Sequence, residues 1–151
     1  MNWALFALLS ALFAGMTAVL AKMGVSNVNS NLATFVRTGV ILVFAFGIVL
    51  AQGQLKNLGT LSSRNWTFLV LSGIATGLSW LCYFAALKAG PVSHVAPIDK
   101  LSFLLAMMLG VTFLHEKVSK LTWVGAGMIL MGVLLTLPTV QETIKRSLGG
   151  H

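Results

Sequence analysis

The sequence predicts an all-α polytopic membrane protein with five transmembrane helices, and three observations carry that prediction. Of the 151 residues, 57% are hydrophobic and only 9% are charged, against about 25% charged in an average soluble domain. Apolar runs of about 20 residues, the length a helix needs to cross a hydrocarbon layer about 30 Å thick, recur five times and take up most of the chain. The runs are continuous and about twice the length of a barrel strand, without strict alternation, so they read as helices. The same arithmetic excludes a soluble globular domain, a disordered chain and collagen. Cys82 is the single cysteine, which excludes a disulfide scaffold.

Taken in order, the first span covers about residues 3–21 and holds no charged side chain. It lacks a basic leader and a clear cleavage site, so it does not read as a removable signal peptide. Gly24 is a helix stop, and Asn27, Asn29, Ser30 and Asn31 supply caps for the second span, residues 32–51, which Arg37 interrupts. A polar loop from Gln52 to Asn65 follows, with Ser62 or Ser63 as the cap of the third span, residues 66–87. Lys88-Ala89-Gly90-Pro91 places Gly past one helix end and Pro at the start of the next. The fourth span covers 91–114. After the His115–Lys120 loop, in which Ser119 is a cap, the fifth covers 121–137 and stops at Pro138. Residues 1–151 thus read as a single five-helix domain with a short polar C-terminal tail at 139–151.

Ten Lys and Arg against three acids give a net charge of +7. The basic residues are scattered singly at the ends of apolar runs, with no patch of basic and aromatic residues, so nucleic-acid binding is excluded and lipid head groups are the expected contact. An odd number of spans puts the termini on opposite faces. Lys56, Arg64, Lys117 and Lys120 then fall on the N-terminal face, and Lys22, Lys88, Lys145 and Arg146 on the other. The positive-inside rule therefore selects no orientation. Either Arg37 snorkels to the C-terminal face and tips the count, or another factor fixes the orientation, or copies insert both ways and pair as an antiparallel homodimer. Trp3, Trp66 and Trp123 each open a span on the N-terminal face, where an aromatic belt is expected, while Trp80 sits deep in its helix.

Charges inside a bilayer are costly and mark candidate functional positions. Asp99 and Lys100 lie 8 and 9 residues beyond Pro91, and Arg37 about 5 residues into its span. His94, Trp80 and Tyr83 share that half of the membrane, so a polar vestibule opening on the C-terminal face is expected, with Asp99 facing Arg37. The competing reading is that the three charges only neutralise one another. Pro97 inside the fourth span removes a backbone donor and is expected to kink the helix. Gly73 and Gly77, and Gly125, Gly127 and Gly132, are small positions where helices approach closely, within one subunit or between two.

No enzyme motif survives inspection. His115-Glu116 runs on into Lys117-Val118-Ser119, without the second histidine of a zinc motif. Gly77-Leu78-Ser79-Trp80-Leu81 lacks the closing Gly of a nucleophile elbow. Neither a P-loop nor a dinucleotide fingerprint is found, so no enzymatic activity, cofactor or metal is expected.

The stretch Ala85-Ala86-Leu87-Lys88-Ala89-Gly90-Pro91-Val92-Ser93, the His115-Glu116-Lys117-Val118-Ser119 turn and the run from Gly125 to Leu135 resemble the second half of an EamA-type repeat of the drug/metabolite transporter superfamily. Members often carry Gly-Glu where this chain has His115-Glu116. The first span lacks the glutamate that the four-helix small multidrug class uses. The resemblance, which spans nearly the whole chain, is to the single-repeat, five-helix bacterial and archaeal class. It implies an inner-membrane exporter or exchanger working by alternating access, with an inverted second copy supplying the missing repeat. The expected cargo is a small polar metabolite, anionic or zwitterionic, because Arg37, Asp99 and Lys100 leave one net positive charge per subunit. Two alternatives stand: a flippase for lipid-linked cargo, marked by a side cleft open to the bilayer, and a non-transporting subunit that needs a different partner.

Overall fold

The computed structural model describes residues 2–149. Among them every regular element is helical. The order is α1 (Trp3–Val25), α2 (Ser30–Ala51), a 3-10 helix (Gln54–Thr60), α3 (Ser63–Ala89), α4 (Val92–Asp99), α5 (Ser102–Phe113), α6 (Lys120–Leu135) and α7 (Pro138–Ser147). The protein is a multi-pass membrane protein. By length and composition α1, α2, α3 and the stretch Val92–Phe113 can each cross a bilayer, and α6 with α7 counts as a fifth span only when read together across an 80° bend. The chain divides into two compact units, Met1–Ala89 and Gly90–His151.

In the first unit the helix starts are set by short polar side chains that accept otherwise orphaned N–H groups. The Asn2 side chain accepts from Ala4, Asn29 from Asn31 and Leu32, and Ser62 from Asn65. Gly53, at φ 65°, turns the chain out of α2 into the 3-10 helix, a conformation that residues with a Cβ avoid. The buried side chains of this unit gather near one end of its three helices: Ala18, Ala21 and Val25 of α1, Thr34 of α2, and Phe84 and Leu87 of α3. Two lysines fasten the same end. Lys22 Nζ donates to the Leu87 carbonyl, and Lys88 Nζ to the Val28 carbonyl at 2.9 Å. Carbonyls in a helix's last turn have no intrahelical donor. Lys22 therefore serves two needs at once, keeping its own charge solvated and satisfying the end of α3. α1 runs past Gly24 to Val25, four residues beyond the expected end at Ala21, and Val25 is fully buried.

In the second unit the expected fourth span is two helices, α4 and α5. The break lies at Lys100–Leu101, three residues past Pro97, and α4 runs through Pro97 itself. At the break the N–H groups of Leu101, Phe103 and Leu104 bond three residues back, to Ile98, Lys100 and Leu101, the tighter 3-10 pattern. Ser119 caps α6, its hydroxyl accepting from the Thr122 N–H at 3.1 Å. His115 takes a left-handed conformation, φ 55°. That geometry explains why glycine suits this position: only Gly adopts it without a Cβ penalty. The next residue, Glu116, donates its N–H to the Gly110 carbonyl at 3.1 Å, closing α5. Pro138 opens α7 at its first turn, so part of the polar tail is helical; Gly150 and His151 lie outside the described residues.

The glycines singled out in the sequence make no tight contact among the described residues. A Cβ built at Gly73, Gly77, Gly125, Gly127 or Gly132 meets no atom within 4 Å. Most large apolar side chains of the spans, such as Phe35, Val40 and Phe44 of α2 and Phe68 of α3, are exposed, as expected for surfaces that lipid or a second chain covers.

Candidate functional site

The first unit contains a cleft of about 430 Å³, lined by Thr17, Leu20, Ala21 and Gly24 of α1, Val28 of the connecting loop, Ala33, Val36 and Arg37 of α2, and Phe84 of α3. Its formation follows from side-chain size. The α1 face repeats at i, i+3, i+4 and i+7, the spacing of one helix side. Three of its four residues (Thr17, Ala21 and Gly24) are small, so α1 and α2 leave space that Phe84 of α3 closes. The volume is that of a small-molecule site. The cleft is mainly apolar, with Arg37 its one charge and Thr17 its one other polar side chain.

Arg37 and Trp80 meet because their helices run antiparallel. Arg37 is seven residues after Ser30 and Trp80 nine before Ala89, roughly 10 and 14 Å from the same end at the helical rise. The guanidinium carbon lies 3.7 Å from the centre of the Trp80 ring and 5.6 Å from that of Phe84. Such stacking is worth about 0.5–2 kcal/mol, more as water is excluded. It covers one flat face of the guanidinium and leaves the N–H donors at its edge. Tyr83 packs edge-on against Phe84, ring centres 6.5 Å apart. Trp80, Phe84 and Leu87 fall at i, i+4 and i+7 on one side of α3, and that spacing could have revealed Phe84 from the sequence.

No carboxylate exists in residues 2–89: all three acids of the chain (Asp99, Glu116 and Glu142) come later. The half-buried Arg37 is thus stacked on aromatic rings rather than neutralised by an acid of its own unit. A guanidinium edge facing an apolar hollow is suited to a planar oxyanion, which it can grip through two parallel N–H donors.

The remaining expected site residues belong to the second unit. Asp99 pairs with its neighbour Lys100, Oδ2 to Nζ 3.3 Å, with side chains 35% and 60% exposed. Arg37 stacks on Trp80 within the first unit, and Asp99 pairs with Lys100 within the second. His94 lies in the first turn of α4, partly buried, its N–H bonded to the Pro91 carbonyl at 3.1 Å. Among the described residues no group of three His, Cys, Asp or Glu could hold a metal ion.

Helices long and apolar enough to cross a bilayer, with an arginine-bearing cleft among the first three, make up this membrane protein. The profile of the EamA-like transporter family matches residues 1–137, and the chain belongs to that family. It is 50% identical over 134 residues, 89% of this chain and 95% of the other, to an uncharacterized transporter in the cobO 3' region of Sinorhizobium sp. It is 28% identical to the uncharacterized transporter YxxF of Bacillus subtilis strain 168, over 88% of this chain and 42% of that one. It is 27% identical to a probable 4-amino-4-deoxy-L-arabinose-phosphoundecaprenol flippase subunit ArnE of Klebsiella pneumoniae strain 342, over 64% of this chain and 92% of that one. No solved structure matches.

Proposed function

We propose that this protein is a secondary transporter of the inner membrane, an exporter or exchanger that carries a small anionic or zwitterionic molecule by alternating access. The observation that carries this reading is Arg37, stacked on Trp80 at an apolar cleft of about 430 Å³ in a unit without any carboxylate. A cation held in such surroundings needs a counter-charge, and a cargo anion supplies it during passage. Trp80 positions Arg37, Phe84 and Tyr83 provide apolar contact, and the Asp99–Lys100 pair at the break of the fourth span takes the coupling role.

Transport proceeds in an antiparallel pair of chains. An equal number of basic residues on the two faces supports this, as do the glycine faces with open space around them. The cleft's apolar lining also favours a second reading, a lipid-linked phosphate as cargo, to which the flippase subunit name of the Klebsiella relative lends weight.

The test is uptake into proteoliposomes with matched cargo panels: carboxylates and phosphates, their neutral isosteres, and a short-chain lipid phosphate. The proposal expects anions to be carried and isosteres refused. Carriage of the lipid phosphate alone supports the second reading. Equal carriage of the neutral compounds, or of cations, overturns both.

A further inference from the structure

We propose that α7 is an interfacial helix that lies on an anionic lipid surface and completes the hydrophobic thickness that α6 leaves short. The 16 residues of α6 extend roughly 24 Å at the helical rise, against a hydrocarbon layer about 30 Å thick. Mismatch of that size is relieved by thinning the bilayer or by apolar flanking groups. The chain then turns by 80° into α7, so a helix that follows a membrane-crossing α6 runs nearly in the membrane plane. The turn is built in. Thr136 and Leu137 donate to Val133 and Leu134 in a closing 3-10 turn. Pro138 prevents continuation, and the Gln141 side-chain amide donates to the Leu135 carbonyl at 2.9 Å.

The residues of α7 divide by face. Val140 and Ile144, continued by the flanking Leu137 and Leu148, form one stripe, whereas Glu142 and Arg146 lie on the opposite side and Lys145 on the flank between them, at 100° per residue. Ile144 and Leu148 are 38% and 82% exposed. Helices of this kind sink their apolar face about 5–10 Å into the head-group boundary, which closes the shortfall of roughly 6 Å left by α6. Lys145 and Arg146 in the last turn outweigh Glu142 and direct the choice to an anionic surface. Each basic residue near such a surface contributes about 1 kcal/mol, a ~5-fold preference.

The experiment uses the full chain with Cys82→Ala, reconstituted into vesicles of phosphatidylcholine alone or mixed with phosphatidylglycerol. An environment-sensitive fluorophore is placed on a cysteine at Ile144 or at Glu142, and lipids carrying quenchers at known depths report its position. The expected result is shallow burial of the label at 144 and aqueous exposure of the label at 142. Seating at 144 should be stronger in the anionic vesicles, and Lys145→Gln with Arg146→Gln should lower the seated-to-released ratio by ~30-fold there. Equal aqueous exposure at both positions overturns the proposal, and so does quenching at 142 by the deepest probes, which would mean that α7 threads the bilayer. Equal seating in both lipid mixtures overturns the assignment to an anionic surface.

Discussion

Replacing Arg37 separates the two roles a membrane-embedded cation can have. In Arg37→Gln the guanidinium leaves its place 3.7 Å above Trp80, and the cleft keeps its shape and its apolar lining. Hydrogen bonds to charged groups are worth about 1.5–3 kcal/mol, so binding of an anionic cargo should weaken by ~10- to 150-fold. Stability should move the other way or not at all. The lost stacking, about 0.5–2 kcal/mol, is offset because a half-buried cation without a carboxylate in its unit no longer has to be desolvated. The unliganded variant should melt between 0 and about 4 °C above the parent, on the scale of about 1 kcal/mol for a chain of this size. Arg37→Lys retains the charge without the flat, forked donor set, and its affinity should fall between the other two. Thermal unfolding in nanodiscs, with and without a cargo identified by transport, measures both quantities. Unchanged affinity in Arg37→Gln, with a melting point lowered by more than about 4 °C, would show that Arg37 is structural and does not bind cargo.

Other predictions rest on single contacts. His115→Gly removes a Cβ from a left-handed position and should stabilise the protein by about 1 kcal/mol, while the β-branched His115→Val should cost about 1–2 kcal/mol; denaturant titration of the two variants checks the sign. Lys22→Met leaves the Leu87 carbonyl short of a donor at the buried end of the first unit, and the same titration should show a loss of about 1–3 kcal/mol. If copies insert both ways, cysteines introduced singly at Ser62 and Gly149 of a Cys82→Ala chain will each be labelled in intact cells by a reagent that does not cross the membrane. Labelling of one position only would establish a fixed orientation and exclude the antiparallel pair.

The spans were legible in the sequence because a bilayer demands long unbroken apolar runs, and few other structures tolerate them. Their ends were less so. Gly24 reads locally as a stop, yet α1 continues past it to Val25, whose side chain is fully buried, and such tertiary burial is not visible in the local pattern. Pro97 announced irregularity in the fourth span but not its place. A proline disturbs the turn before it, whereas the helix reorganises after it, at Lys100–Leu101. The depths of Arg37 and Trp80 followed from counting residues along antiparallel helices. The partner of Arg37 did not, since counting gives depth and not the direction around the helix. The cleft itself was hidden, because Thr17, Ala21 and Gly24 look like ordinary small membrane-helix residues until Phe84 is seen opposite them.

The proposed transport requires cargo to sit in the α1–α2 cleft with its anionic group on Arg37. The most direct measurement is the rate at which a small thiol reagent modifies Thr17→Cys, in a Cys82→Ala background, with and without a transported anion. The account predicts that saturating anion slows the reaction at position 17 and that Arg37→Gln abolishes this protection. Modification at an unchanged rate while the anion is being carried would place the pathway elsewhere and contradict the account.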